Sequence, residues 1–165
     1  MRLTLFFLLI SIFVFSQNSK QIADQYYING EYEKAIFVYE ELIDKHLSVT
    51  YYDPFYTCLL KVKNYKQAIS LSKKFVRKHP KELKYQLGVI IAQDKSGDTI
   101  KAEKGYDKFF KKLDGGRAQT INLARTFSRH AMYKKALSVY ILSEKINEKN
   151  NFGMQKAQLF AQLDE

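Results

Sequence analysis

The chain has 165 residues, of which 46% are hydrophobic and 27% charged, and its formal net charge is +10. Seven glycines and two prolines exclude a collagen-like or low-complexity chain, and the apolar share excludes intrinsic disorder. A single cysteine excludes a disulfide framework and a cysteine-rich zinc site. The abundance of strong helix formers and the scarcity of turn residues favour an all-α protein with short turns.

The N-terminal segment has the pattern of an export signal. Arg2 is followed by an uncharged, strongly apolar run, and Val14 and Ser16 stand at the two positions that signal peptidase reads. We therefore predict a signal peptide over residues 1–16, cleaved before Gln17, and export to the periplasm or the extracellular space. An uncleaved membrane anchor is the lesser alternative, since a helix of this length rises only about 24 Å against a hydrocarbon core of about 30 Å.

Apolar periodicity and capping residues predict helices along the rest of the chain. One helix is expected to begin at Asp53 and Pro54, because Asp is a good N-cap and Pro suits the first helical position, and to end near Val62. The other predicted helices cover Ser19–Asn29, Tyr32–Lys45, Tyr65–Lys78, Glu82–Lys95, Thr99–Leu113, Arg117–Arg129 and Tyr133–Ile146.

The C-terminal segment, residues 151–165, predicts one more amphipathic helix over Phe152–Leu163. Helical repeat arrays need a terminal element with a polar outer face, so this helix is interpreted as a cap. The last four residues also resemble the start of another turn between helices. The alternative is therefore a truncated fifth repeat.

Four segments share one local pattern with an alanine at its centre. These alanines are Ala35, Ala68, Ala102 and Ala136, and they recur at intervals of 33, 34 and 34 residues. A period near 34 is typical of a helix-turn-helix unit repeated along a chain. We predict four such repeats over residues 17–150, at 17–48, 49–82, 83–116 and 117–150.

This pattern resembles the tetratricopeptide repeat (TPR) family over nearly all of the chain after the leader. A tyrosine stands three residues before the alanine in three repeats, as Tyr32, Tyr65 and Tyr133. The resemblance implies an α-solenoid of about four TPR-like repeats plus a C-terminal helix, preceded by the signal-peptide helix. In each repeat the small alanine allows close helix packing, and larger residues fill the grooves between the ridges. Ser72 and Ser143 depart from the pattern, since the family has large residues there.

No sequence motif points to catalysis, a cofactor or a metal. The three histidines, His46, His79 and His130, lie at or near predicted helix ends. We expect their side chains to donate hydrogen bonds to the last carbonyl groups of those helices. No His-Glu-x-x-His pattern, phosphate loop or nucleophile elbow is present. We predict a protein that is not an enzyme, and we expect Cys58 to be a buried apolar side chain.

Charge is unevenly distributed along the chain. Residues 17–48 carry a net charge of −3, whereas residues 49–82 and 117–150 carry +6 and +5. An acidic first repeat followed by a basic body can orient an elongated partner or favour head-to-tail association. For an exported protein this basic excess points to an acidic protein segment or an anionic envelope surface, and not to nucleic acid.

The resemblance also implies where a partner binds, because the first helices of tetratricopeptide repeats line a concave groove. Carried over position by position, the inward-facing candidates are Tyr27, Thr57, Leu60, Ile91, Asp94, Lys95, Asn122, Arg125 and Arg129. Arg125 and Arg129 are four residues apart, so they share one helix face and can form bidentate hydrogen bonds to a carboxylate. The competing interpretation is a solvated helix face without a ligand.

Two functions follow as hypotheses. The first is a non-catalytic protein–protein interaction scaffold of the bacterial cell envelope, which binds a peptide or protein through the concave face. The alternative is a structural or surface-associated spacer, which adheres to anionic envelope polymers through its basic body. The sequence does not predict the oligomeric state, and it predicts membrane contact only through an uncleaved leader.

Overall fold

The computed structural model describes residues 19–164, and every regular element in this range is an α-helix. Helix α1 covers residues 19–28. The next eight are α2 (Tyr32–Lys45), α3 (Val49–Lys61), α4 (Tyr65–Lys78), α5 (Leu83–Lys95), α6 (Thr99–Phe110), α7 (Arg117–Arg129), α8 (Tyr133–Ile146) and α9 (Gly153–Asp164). The predicted signal peptide lies outside the described residues. Between residues 19 and 164, no helix is both long and apolar enough to span a bilayer.

The sequence predicted most helix bounds correctly. Helices α2, α4, α7 and α8 begin and end at the predicted residues. Helices α1 and α5 differ from the prediction by one residue at one end, and α9 is shifted by one residue at both ends. Helix α6 ends three residues early, at Phe110, where the N–H groups of Lys112 and Leu113 bond three residues back, to the carbonyls of Phe109 and Phe110. The chain then turns through Asp114 and Gly115 before α7. The Asp114 carboxylate accepts a hydrogen bond from the Gly116 N–H at 2.8 Å and stabilises this turn.

The predicted start of α3 was wrong. The helix begins at Val49, with Ser48 as N-cap, and Pro54 lies inside it. The four additional residues bring Tyr51 and Tyr52 into the core, where both are buried. An interior proline costs about 3 kcal/mol and a buried aromatic side chain contributes about 1.5–3 kcal/mol, so the two tyrosines offset the broken helix hydrogen bond.

Four turns between consecutive helices repeat one backbone geometry. Each has a left-handed residue five positions before a packing alanine: Gly30, Lys63, Gly97 and Ala131, with φ of 76°, 59°, 90° and 57°. In each turn the next residue donates its N–H to a carbonyl five positions back, from Glu31, Asn64, Asp98 and Met132 to Tyr26, Leu59, Gln93 and Phe127. This is the Schellman arrangement that ends a helix. The sequence period is therefore also a period of the backbone.

The described helices form two compact units that divide within α4, residues 19–74 and 75–164. In the first, α2 packs against α3, and the Tyr39 and Phe55 rings stack with centroids 5.9 Å apart. In the second, α5 pairs with α6 and α7 pairs with α8, while α9 packs on α8. Phe127 of α7 contacts Phe109 of α6 with ring centroids 6.4 Å apart.

A tilted ring pair formed by Phe152, the residue before α9, and an ion pair join this C-terminal segment to α8. The Phe152 ring lies 4.8 Å from that of Tyr140, and the Lys156 ammonium lies 2.6 Å from the Glu144 carboxylate. The hydrogen bonds from Lys156 and from the Phe152 N–H lower the pKa of Glu144. Both interpretations of this segment, a cap and a truncated repeat, stay predictions.

The two serines that depart from the repeat pattern are buried and hydrogen-bonded. Tyr52 of α3 supplies the bulk that Ser72 lacks, and the two hydroxyl oxygens lie 2.9 Å apart. Thr120 and Asn150 both donate to the Ser143 hydroxyl, at 2.8 and 3.0 Å. Small polar residues are tolerated at these core positions because a neighbouring helix or turn satisfies each hydroxyl group.

Candidate partner-binding surface

The packing alanines of the repeats lie in the core of the described chain. Ala35, Ala68, Ala102 and Ala136 all have no exposed surface. Tyr32, Tyr65 and Tyr133 begin α2, α4 and α8, and each is half-buried. A small residue at the closest approach of two helices positions the first helix of each repeat, which carries the candidate binding residues.

Two part-buried tyrosine–aspartate hydrogen bonds join the first helix of a repeat to the second. The Tyr39 hydroxyl donates to Asp24 at 2.6 Å, and the Tyr106 hydroxyl donates to Asp94 at 3.0 Å. Burial raises the pKa of both tyrosines well above the ordinary value, and the neighbouring carboxylates add to the shift. Asp94, a predicted groove residue, is half-buried and already accepts this internal hydrogen bond.

The fourth repeat has a cation where the first has an aspartate. Asp24 lies eleven residues before Ala35, and Arg125 lies eleven residues before Ala136. Arg125 is close enough to Tyr140 of α8 for its charge to oppose the rise that burial causes in the pKa of Tyr140. Because Arg125 is exposed, its guanidinium group faces solvent, whereas the Asp24 carboxylate is hydrogen-bonded inside the repeat.

Helix α7 presents the strongest candidate surface among the predicted residues. Asn122, Arg125 and Arg129 are exposed at spacings of three and four residues, so they share one face. The helix has no acidic residue, and within residues 19–164 Arg125 has no ion-pair partner. A guanidinium group in this setting can donate two hydrogen bonds to a carboxylate without first breaking an internal ion pair. We define Asn122, Arg125 and Arg129 as the α7 face.

The remaining predicted groove residues lie in different environments within the two units. In residues 19–74, Tyr27 is half-buried with its ring 6.3 Å from that of Tyr32. Thr57 is half-buried, and its hydroxyl donates to the Asp53 carbonyl at 2.8 Å. In residues 75–164, Lys95 is exposed at the end of α5.

Two predicted groove residues are corrected by their burial. Ile91 has no exposed surface, and Leu60 is buried with 9% of its surface exposed. Both are aliphatic side chains that pack in the core of their own unit, because removing them from water stabilises the helix pair. They do not offer surface to a partner.

Cys58 is a buried, weakly acidic thiol. Burial raises the pKa of the Cys58 thiol to about 12, so the thiolate is scarce at neutral pH. Between residues 19 and 164, no three His, Cys, Asp or Glu side chains are grouped as metal ligands would be.

A second surface was not predicted from the sequence. Phe37 on α2 is 66% exposed, and the acidic residues Glu33 and Glu41 lie four positions before and after it. The available signal was the register, because Phe37 stands two residues after Ala35 and so points away from the packed side of its helix.

Comparison with known proteins identifies the fold. No protein-family model matches the sequence, and no curated protein matches it. The structure of MamA (41-end) from Desulfovibrio magneticus RS-1 is similar, with a TM-score of 0.53 and 16% identity, over 83% of this chain and 78% of that one. A MamA RS-1 double mutant gives a TM-score of 0.52 and 16% identity, with coverages of 81% and 75%.

YrrB, described as a TPR protein with an unusual peptide-binding site, gives a TM-score of 0.50 and 14% identity. The similarity covers 88% of this chain and 74% of YrrB. At these identities the similarity concerns the fold alone. Together with the four repeated turns and the buried alanines, it shows that this chain has the tetratricopeptide repeat fold.

Proposed function

We propose that this protein is a non-catalytic protein–protein interaction scaffold that binds an acidic peptide segment on the α7 face. The observation that carries the proposal is the exposed Arg125, which has no ion-pair partner within residues 19–164 and lies on one face with Asn122 and Arg129. The peptide-binding site named for YrrB supports peptide binding as a use of this fold.

The chemistry of the α7 face favours a carboxylate ligand. Two guanidinium groups one turn apart provide planar donors that match carboxylate oxygens, and Asn122 adds an amide that can bind a peptide group. Exposed charge pairs contribute little to affinity one at a time. A ligand with acidic residues one turn apart, or with several in an extended segment, engages both arginines and gains specificity from the fixed spacing.

The experiment is a peptide selection followed by a titration. A random peptide library is selected on the immobilised protein, and the enriched peptide is labelled with fluorescein and titrated by anisotropy. We expect enrichment of Asp and Glu, and at least about tenfold weaker binding after Arg125→Glu combined with Arg129→Glu.

The matched control is Lys134→Glu combined with Lys145→Glu on α8, which makes the same change in net charge at two other exposed positions. This control should retain most of the affinity. Equal losses in both variants would mean that overall charge, and not the α7 face, controls binding. Selection of peptides without acidic residues would also contradict the proposal.

We further propose that the scaffold acts in the cell envelope after export. The support is the leader pattern, a single basic residue followed by an apolar run and Ser16. N-terminal sequencing of the protein recovered from the envelope checks this location, with Gln17 as the expected first residue.

A further inference from the structure

The outer face of α2 has an exposed phenylalanine surrounded by acidic side chains. Phe37 is 66% exposed, and Glu33, Glu40, Glu41 and Asp44 lie at helical spacing around it. We define these five residues as the α2 acidic face. An exposed phenylalanine inside a charged rim has the composition of a binding hot spot, where a central ring provides the contact and the charges select the partner.

The acidic groups of this face differ in availability. Glu40 accepts a hydrogen bond from Gln67, and the Asp44 carboxylate lies 3.1 Å from the Lys74 ammonium, so α4 already engages both. Glu41 has only an exposed contact of 3.6 Å with Lys45, one turn away on the same helix. Glu33 has no ion-pair partner within residues 19–164. Glu33 and Glu41, on either side of Phe37, are therefore the charges available to a partner.

The outer face of α6 carries the complementary set. Lys104 and Lys108 of α6 and the C-cap residue Lys111 are exposed at spacings of four and three residues, and none has an ion-pair partner in the described part of the chain. Ile100, one turn before Lys104, is 74% exposed. We define these four residues as the α6 lysine face. Its edge also carries the exposed acids Glu103 and Asp107, so the face is basic along one line and not over the whole helix.

The two faces correspond in register. Phe37 and Lys104 both stand two residues after a packing alanine, and Glu41 and Lys108 both stand six residues after it. At two of these corresponding outer positions, Glu41/Lys108 and Asp44/Lys111, the first repeat has an acid and the third has a lysine. A partner for the α2 acidic face needs cations one turn apart beside an aliphatic side chain, and α6 of this chain meets that description.

We propose that the chain associates with a second copy of itself, with the α2 acidic face of one copy docked on the α6 lysine face of the next. Phe37 packs on the methylene groups of Lys104 and Lys108, while Glu33 and Glu41 pair with these two lysines from either side. The contact is heterologous, so each added copy leaves one face of each kind free and the assembly grows with concentration. It uses other surfaces than the α7 face and does not depend on peptide binding there.

The test is a charge swap read by sedimentation velocity over a concentration series. Wild-type protein should show a mean mass that rises with concentration and falls when salt is raised from about 0.05 M to about 0.5 M. The variant Glu33→Lys with Glu41→Lys should be monomeric, and so should Lys104→Glu with Lys108→Glu. An equimolar mixture of the two variants should associate again, because each then offers the face that complements the other.

The mixture excludes general charge attraction as an explanation. Each double variant shifts the formal charge of +10 by four, so both proteins remain net positive and would repel each other without a specific contact. Phe37→Ser should weaken association about tenfold, a loss typical of a truncated hot spot. The control Met154→Ser removes an apolar residue of α9 that is 76% exposed and should leave association unchanged.

Three results would overturn the proposal. Wild-type protein that stays monomeric at all concentrations would exclude self-association through the α2 acidic face. A mixture of the swapped variants that stays monomeric would exclude pairing of these two faces. Monomeric wild-type protein that is retained on a polyanionic matrix, and released by Lys104→Glu with Lys108→Glu, would assign the lysine face to an anionic polymer.

Discussion

At the residue scale, the two tyrosine–aspartate hydrogen bonds are the most specific polar interactions in the described core. Tyr39 and Tyr106 occupy the same position, four residues after a packing alanine, yet their acceptors differ by one turn: Asp24 lies eleven residues before its alanine and Asp94 lies eight before. The first helix can thus offer the carboxylate from either of two successive turns. A neutral hydroxyl is required in both cases, because a phenolate would face a carboxylate in a buried site.

These hydrogen bonds predict a loss of stability in alkali. Both tyrosines have a pKa raised by burial, above the unfolded value of about 10. Below pH 10 both tyrosines are protonated in the native and the unfolded state, so their full contribution to the free energy of unfolding is present. Above it the unfolded state releases the protons that the native state retains, so the free energy of unfolding falls by up to about 1.4 kcal/mol per pH unit for each tyrosine.

Urea unfolding between pH 8 and 11.5 measures this effect. The variant Tyr39→Phe with Tyr106→Phe should be less stable at pH 8, by about 1–3 kcal/mol for two lost hydrogen bonds, but should lose less stability as the pH rises. The comparison removes contributions from lysines, which are the same in both proteins. Parallel pH profiles for the two proteins would show that these tyrosines ionise equally in the native and unfolded states.

At the element scale, the repeat is defined by its turn as much as by its core. Gly30, Lys63, Gly97 and Ala131 occupy one left-handed position, and only two of them are glycines. A side chain in this conformation costs about 1–2 kcal/mol, partly balanced by the greater flexibility of glycine in the unfolded chain. The second and fourth turns are therefore less stable than the first and third by a purely backbone effect.

Reciprocal substitutions should have opposite effects on stability. Gly97→Ala should lower the free energy of unfolding by about 1 kcal/mol through backbone strain, since a Cβ atom at Gly97 would meet no other group within 4 Å. Ala131→Gly should raise it by about 0.5–1 kcal/mol. As a control, Ala157→Gly within α9 should be destabilising, because helical φ values favour alanine. Urea unfolding gives all three values, and destabilisation by Ala131→Gly would contradict the strain argument.

The sequence predicted the elements better than it predicted the surface. Turn residues and alanines recur with one period, so the bounds of α2, α4, α7 and α8 follow from local rules. The start of α3 does not, because it depends on the burial of Tyr51 and Tyr52 against other helices. The groove residues were predicted less accurately, because the family resemblance gives positions along the repeat but not how each side chain packs. Ile91, for example, lies in the core. Phe37 was missed because its exposure depends on what covers α2.

At the scale of the whole molecule, charge and exposure separate two kinds of surface. The α7 face lies on the first helix of its repeat and is suited to a carboxylate ligand. The α2 acidic face and the α6 lysine face lie on second helices and are complementary to each other. If both proposals hold, the protein binds a peptide on one set of helices and further copies of itself on the other, and ligand sites are multiplied along an assembly.

Peptide binding on the α7 face can be located by an NMR titration of the isotope-labelled protein with the selected acidic peptide. We expect the largest amide shift changes on α7 around Asn122, Arg125 and Arg129, with no comparable changes at Lys104 of α6 or Lys134 of α8. Shift changes concentrated on the outer faces of α6 and α8 would contradict this expectation, because the ligand would then be held by the general basic charge of the chain.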